Sequence, residues 1–252
     1  MRRVALVTGG GRGIGRAIAE ALAREELAVA LASRSRKAVE EAARALQSAG
    51  AEVMALALDV ADAEASELAV NAIVATLGPV DVLVNNAGIA ESAPLARTDL
   101  DLWDRHFRTN VTGPFLLSRA VVPGMVERGW GRVINIASTA GLVGAPYLSA
   151  YTASKHALVG LTRALAAEVS GKGVTVNALC PGFTATDLAW NAARNIAAKT
   201  GKSYDEAVAT LARMNAGGRL VQPEEIAAVA VKLLTDERTG DAIVIDGTAV
   251  LG

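Results

Sequence analysis

Short apolar runs alternate with helix-like stretches along 252 residues, a pattern that predicts an α/β protein with a doubly wound sheet of about seven mostly parallel strands and helices on both faces. Two further observations support this class. The runs are apolar on both parities instead of alternating, as strands covered on both faces require. The apolar half of the chain is mainly Ala, Val and Leu, with aromatics at 4%, which suits buried strands packed by Ala-rich helices.

The elements follow in order. Val4–Thr8 reads as a strand, followed by a glycine-rich turn and a helix over about 14–25. Further strand-like runs lie at 27–32, 53–58, 81–84, 132–137, 174–179 and 242–246. A helix is expected after the capping-box-like Thr98-x-x-Asp101, running toward Asn110, and another from near Tyr151 to about Gly171. From Phe183 to Gly218 the chain leaves the strand–helix rhythm, with helix-like pieces at 188–199 and 205–214. An insertion just past a strand's carboxyl end is placed to act as a lid, because open α/β sheets bind ligands at that edge. No linker or repeat divides the sequence, so residues 1–252 read as one domain with a lid at about 183–218.

Several classes are excluded. The net charge is −1 and no basic stripe is present, so no nucleic-acid partner is expected. A single cysteine, Cys180, precludes an intrachain disulfide, and two histidines, His106 and His156, offer no metal-ligand spacing. No apolar stretch approaches the roughly 18 residues of a membrane span. Residues 1–7 lack a signal-peptide pattern, so a cytoplasmic protein is expected.

Thr8-Gly9-Gly10-Gly11-Arg12-Gly13-Ile14-Gly15 lies between the first strand and the first helix. Its glycines allow a tight turn, and the helix N-terminus that follows offers free N–H groups to a pyrophosphate. Such a turn in this position is a Rossmann-type signal. Twenty residues after Gly13 the second strand ends at Ser33-Arg34-Ser35-Arg36. An acidic residue there would hold the ribose 2′-hydroxyl of NAD, whereas arginine accommodates the 2′-phosphate of NADP. Arg34, with help from Arg12, therefore points to NADP(H), with NAD(H) as the alternative.

Tyr151 and Lys155 are four apart, on one face of the expected helix. An ammonium about 4 Å from the phenol, at an effective dielectric near 20, is worth up to about 4 kcal/mol. It would lower the tyrosine toward neutral pH and suit it to acid–base work on an alcohol or carbonyl oxygen.

These motifs, in register over nearly the whole chain, resemble the short-chain dehydrogenase/reductases. The resemblance makes 8–15 the cofactor turn and places Asp59-Val60 against an adenine. It sets Asn86-Ala87-Gly88 beside the cofactor and Pro181-Gly182, Thr184 and Thr186 on its nicotinamide side. It implies a catalytic tetrad of Asn110, Ser138, Tyr151 and Lys155. Ser138 would stabilise the substrate oxygen and Tyr151 would exchange its proton. Lys155 would tune the tyrosine and hold the ribose, and Asn110 would hold a relay water. The expected substrate is a small carbonyl or secondary alcohol. The resemblance to 3-oxoacyl thioester reductases points to a carrier-protein or CoA thioester. Another alcohol, hydroxy acid or ketone is the alternative, and a non-catalytic cofactor-binding relative the remote one. The pocket is expected to be apolar, lined by Leu142, Val143, Pro146, Leu188 and Trp190. Asn177 is expected to tie backbone together, and the histidines and Cys180 to be structural. A homotetramer is implied, packed through the helices bearing Asn110 and Tyr151. The short stretch to Gly252 is expected to leave no tail over a neighbouring site.

Overall fold

The computed structural model describes residues 2–248, so the stretch at the end of the chain lies outside the described residues. Seven strands form one sheet: β1 (Val4–Thr8), β2 (Ala28–Ser33), β3 (Val53–Ala57), β4 (Val80–Asn85), β5 (Gly131–Ile136), β6 (Val174–Pro181) and β7 (Ala242–Ile245). Their order is β3-β2-β1-β4-β5-β6-β7, and every pair is parallel. Parallel neighbours need crossovers, and the helices that supply them cover both faces. One core, under α1 (Gly13–Arg24), α2 (Arg36–Ser48) and α9 (Pro223–Lys232), gathers Val7, Ile18, Leu31, Val84 and Ile226. The opposite core, under α3 (Ala63–Thr76) and α5 (Gly113–Glu127), gathers Leu6, Ile73, Leu83, Leu117 and Val133. Successive strand residues enter opposite cores, so both parities are apolar.

Two expected helix starts are corrected. The cap of α4 (Leu100–Phe107) is Asp99, whose carboxylate accepts the Leu102 N–H at 2.8 Å, while the Thr98 hydroxyl turns back to the Pro94 carbonyl. Asp99 stands one residue closer to the first turn, and a carboxylate there also meets the positive end of the helix dipole. The helix does not run unbroken to Asn110 either: a π-type turn, Arg108–Thr112, separates α4 from α5 and carries Asn110. Helix α6 spans Ser149–Glu168, two residues earlier than expected at its start.

After β6 the chain leaves the sheet and forms α7 (Asp187–Thr200) and α8 (Tyr204–Arg213), packed through Ala189, Ala193, Ala207 and Leu211. The feet of this insertion are joined, since Val221 N–H donates to the Phe183 carbonyl and Ala185 N–H to the Val221 carbonyl. Asn215 reinforces them: its oxygen accepts Phe183 N–H, and its amide donates to the carbonyls of Phe183 and Arg219, all within 2.8 Å.

Candidate active site

The strand order reverses between β1 and β4, and the crevice at such a point, beyond the strand carboxyl ends, is where open sheets bind ligands. Gly9 and Gly13 take φ of +63° and +53°, a region that glycine enters without steric cost. A β-carbon on Gly9 would come within 2.6 Å of Asn86 Nδ2, because that amide donates to the Thr8 carbonyl at 2.9 Å and binds the turn to β4. The Thr8 hydroxyl accepts the N–H groups of Asn86 (2.9 Å) and Ala87 (3.0 Å), fixing the crevice floor. Helix α1 begins at Gly13 with no side-chain cap and no acid in its first turn. Its N-terminal N–H groups and positive dipole end face outward, as a bound pyrophosphate requires. Ile14 and Gly15 lie in that first turn.

Arg34 is exposed at the end of β2 beside Ser33, whose hydroxyl donates to the Ser35 carbonyl. The adjacent Asp59 carboxylate is engaged by Ala61 N–H, and Val60 is buried against Gly113. Arg12 pairs with Asp187 at 3.4 Å, linking the phosphate turn to the start of α7. Thr186 precedes α7 without capping it by its side chain, and a β-carbon on Gly13 would touch its methyl at 3.2 Å. Thr184 donates to the Gly182 carbonyl, and Pro181 ends β6. The cofactor set thus falls along one edge, from Thr8 through Asn86 to Thr186. An open glycine turn, an uncapped helix start and a strand end with arginine but no carboxylate fit a phosphorylated dinucleotide.

Ser138 ends the segment after β5, in extended backbone, and its oxygen accepts Ala140 N–H at 3.1 Å. The tight turn that follows packs on α6 through Gly141, where a β-carbon would meet the Lys155 carbonyl at 2.9 Å. That close approach brings Ser138 beside Tyr151. Lys155 is buried, and its Nζ donates to the Ile136 carbonyl at 2.7 Å. Burial lowers its pKa to about 8. Gly88 opens the space in front of it: a β-carbon there would lie 3.2 Å from Asn110 Oδ1 and 3.6 Å from Lys155 Nζ. Asn110 is fully buried. Its oxygen accepts Ile89 N–H at 2.9 Å, and its amide donates to the Ile89 carbonyl and Ser154 Oγ at 3.0 Å. The side chain is thus committed to Ile89 and Ser154.

The expected depression of the tyrosine is corrected. Burial pushes the Tyr151 phenol up, and the neighbouring Ser138 hydroxyl only partly opposes it. The lysine Nζ sits 5.8 Å from the phenol ring centroid, turned toward Ile136. Cys180 is buried as expected, and burial raises its thiol to about 11. Asn177 does bridge backbone, donating to the Arg238 carbonyl and accepting Asp241 N–H. The expected apolar lining is divided. Val143 and Leu188 are exposed, Leu142 packs into the small core with Leu158 and Cys180, and Trp190 lines an open groove with Arg194 and Tyr204. Sequence reasoning missed His106 as a neighbour of Tyr151, the joint at Asn215, and Tyr147, which is exposed with φ +64°.

Residues 3–197 match the family described as short chain dehydrogenase. The chain belongs to that family and is an NAD(P)-dependent oxidoreductase. It is 41% identical to 2-(S)-hydroxypropyl-CoM dehydrogenase 3 of Xanthobacter autotrophicus, over 97% of this chain and 95% of that protein. It is 37% identical to the 3-oxoacyl-[acyl-carrier-protein] reductase FabG of Vibrio harveyi, over 97% and 96%. The crystal structure of a single-substitution variant of actinorhodin polyketide ketoreductase with NADPH superposes with a TM-score of 0.94, at 38% identity, covering 98% of this chain and 96% of that one.

Proposed function

We propose that this chain is an NADPH-dependent reductase of 3-oxoacyl thioesters, with Ser138, Tyr151 and Lys155 performing the proton chemistry. The observation that supports the reading is that the Ser138 hydroxyl and the Lys155 Nζ both border the buried Tyr151 phenol, beside the open Gly88. A hydride is the chemistry that a reduced nicotinamide held there would supply. The Ser138 hydroxyl donates to the substrate oxygen and steadies the charge that develops on it. Tyr151 gives that oxygen its proton, and a phenol pushed up by burial stays in the donating form until then. Lys155, its pKa lowered to about 8 by burial, would return a proton to the phenol and hold the ribose. Asn110 holds the wall of the site through Ile89. Residues 183–218 serve as the lid of a single domain.

NADP(H) is supported by Arg34 and by the absence of a carboxylate between Ser33 and Arg36, and the ketoreductase that superposes on this chain holds NADPH. The thioester class is supported by likeness to the FabG reductase and that ketoreductase. The second reading, a dehydrogenase of another secondary alcohol, is favoured by the 41% identity to the hydroxypropyl-CoM enzyme. Exposed Leu100, Trp103 and Phe115 on α4 and α5 support a homotetramer, which light scattering would report as four chains per particle. The lone buried thiol is consistent with a cytoplasmic setting.

The test is a panel of acetoacetyl-CoA, simple ketones and secondary alcohols, assayed with NADPH and NADH. The thioester reading expects the highest kcat/KM for acetoacetyl-CoA with NADPH, and a ketone or alcohol that exceeds it selects the second reading. Arg34→Glu should raise the KM for NADPH by about tenfold or more while leaving NADH nearly unaffected, the loss of one charge-assisted phosphate contact. Equal effects on both cofactors would remove Arg34 from the site.

A further inference from the structure

His106 is fully buried on α4, and both of its ring nitrogens are engaged. Nδ1 lies 2.8 Å from the Leu102 carbonyl, which can only accept, so Nδ1 carries the proton. Nε2 lies 3.1 Å from the main-chain nitrogen of Glu91, which can only donate, so Nε2 is bare. One neutral tautomer satisfies both bonds. The imidazole also stands edge-on to the Tyr151 ring, with centroids 6.2 Å apart and planes at 71°. This is an attractive aromatic geometry.

Glu91 belongs to the segment between β4 and α4, which borders the site; its carboxylate pairs with Arg105 at 3.3 Å, and three further ties hold the segment's main chain. Asn110 holds Ile89 by both amide groups, His106 holds Glu91, and the Tyr147 carbonyl accepts Ala93 N–H at 2.9 Å. Tyr147, which makes the third tie, lies in the left-handed region at φ +64°, where a side-chain-bearing residue is strained. The three ties come from α4, the π-type turn and the loop before α6, so the segment locks the surroundings of Tyr151 to one another.

We propose that His106 is a positioning residue for Tyr151, acting through the Glu91 bond that fixes the wall adjoining the phenol. This rests on Tyr151 being the acid–base residue of the proposed reaction. The experiment measures kcat and KM with NADPH and the fastest substrate of the panel above for His106→Gln, His106→Asn and His106→Phe, with Tyr151→Phe in parallel. Glutamine brings an acceptor within reach of Glu91 N–H, asparagine keeps only the donor for Leu102, and phenylalanine keeps only the ring. The expected result is a kcat within about threefold of wild type for glutamine, since its bond is retained. Asparagine and phenylalanine should lose about 10- to 100-fold in kcat with the NADPH KM unchanged, the effect of a misplaced acid. Wild-type kcat in either of those two, or glutamine falling as far as they do, overturns the proposal. Should the variants fail to fold, nitrogen-15 NMR of the imidazole in a His156→Gln background decides: a protonated Nδ1 supports the proposal and a protonated Nε2 overturns it. Turnover that survives in Tyr151→Phe defeats the functional reading itself. A dead Tyr151→Phe beside a fully active His106→Phe defeats only the positioning role.

Discussion

Lys155 is the residue on which the chemistry and the cost of the site converge. Its ammonium is buried with one carbonyl partner, and its pKa falls from 10.5 to about 8 because burial penalises the charge. Between those two values the unfolded chain binds more protons than the folded one, so this group makes stability rise with pH across the window. Below about pH 8 both states are protonated and the fold carries the whole penalty. Lys155→Met should therefore raise the melting temperature most near about pH 7, with the advantage shrinking toward about pH 10. A difference that does not change with pH in calorimetry would contradict the burial argument. At this scale the sequence shows the residue types of the tetrad but not their environments. Four residues of spacing place Tyr151 and Lys155 on one face, yet only the fold shows Nζ turned to Ile136 and the phenol raised. His106 is illegible for a similar reason: a histidine on an amphipathic helix reads alike whether it meets solvent, core or a catalytic ring.

At the scale of elements, the helix starts around the insertion show how local chemistry serves the site. Helix α9 begins at Pro223, and its Glu225 accepts Gln222 N–H at 2.7 Å. The Glu225 carboxylate also receives both arms of Arg219, at 2.7 and 2.6 Å, from the segment leaving the lid. Chiefly through Arg219, its pKa drops from 4.5 to about 2. A depressed carboxylate contributes stability that is present above 4.5 and lost as pH falls through about 2. Glu225→Gln should lower the melting temperature by about 2 to 4 °C at neutral pH, an effect that fades across that acid window. An unchanged melting temperature at neutral pH would mean that solvent screens the pair completely. The strands were readable because burial on both faces writes apolar residues at both parities, and Val4–Thr8 matches to the residue. The start of α4 was not, since Thr98 and Asp99 both suit a cap, and the choice rests on local geometry: Asp99 reaches the Leu102 N–H while Thr98 turns back to Pro94. Asn215 was hidden because an asparagine at a helix end reads as a local cap, while its partners Phe183 and Arg219 are brought to it by the fold.

Across the whole molecule the two edges of the sheet have separate duties. The carboxyl edge holds the crevice, and the opposite edge is fastened by Arg132, which is 2% exposed at the start of β5. Its guanidinium donates to the carbonyls of Leu234, Gly131 and Gly173 and to Glu237, with the Trp130 ring 4.7 Å away. The segment after α9 is thereby bound to β5 and β6. Arg132→Ala removes these bonds and strips the buried Leu234 carbonyl of its guanidinium partner, which should cost about 2 kcal/mol, since Glu237 is exposed and the Gly173 carbonyl keeps the Gly131 N–H. The melting temperature should then fall by about 4 to 8 °C. KM values should stay unchanged, because the site lies at the other edge. A shift in KM without loss of stability would show that the edges are coupled.

In the proposed reaction Tyr151 moves the proton, in a site whose cofactor crevice is built by other residues. The most direct test compares wild type with Tyr151→Phe in two readings: NADPH binding by fluorescence, and single-turnover reduction of the fastest panel substrate. Binding should remain within about threefold, while the rate falls by about 10²-fold or more, the contribution of a positioned acid. A variant that reduces the substrate at nearly the wild-type rate would contradict the claim.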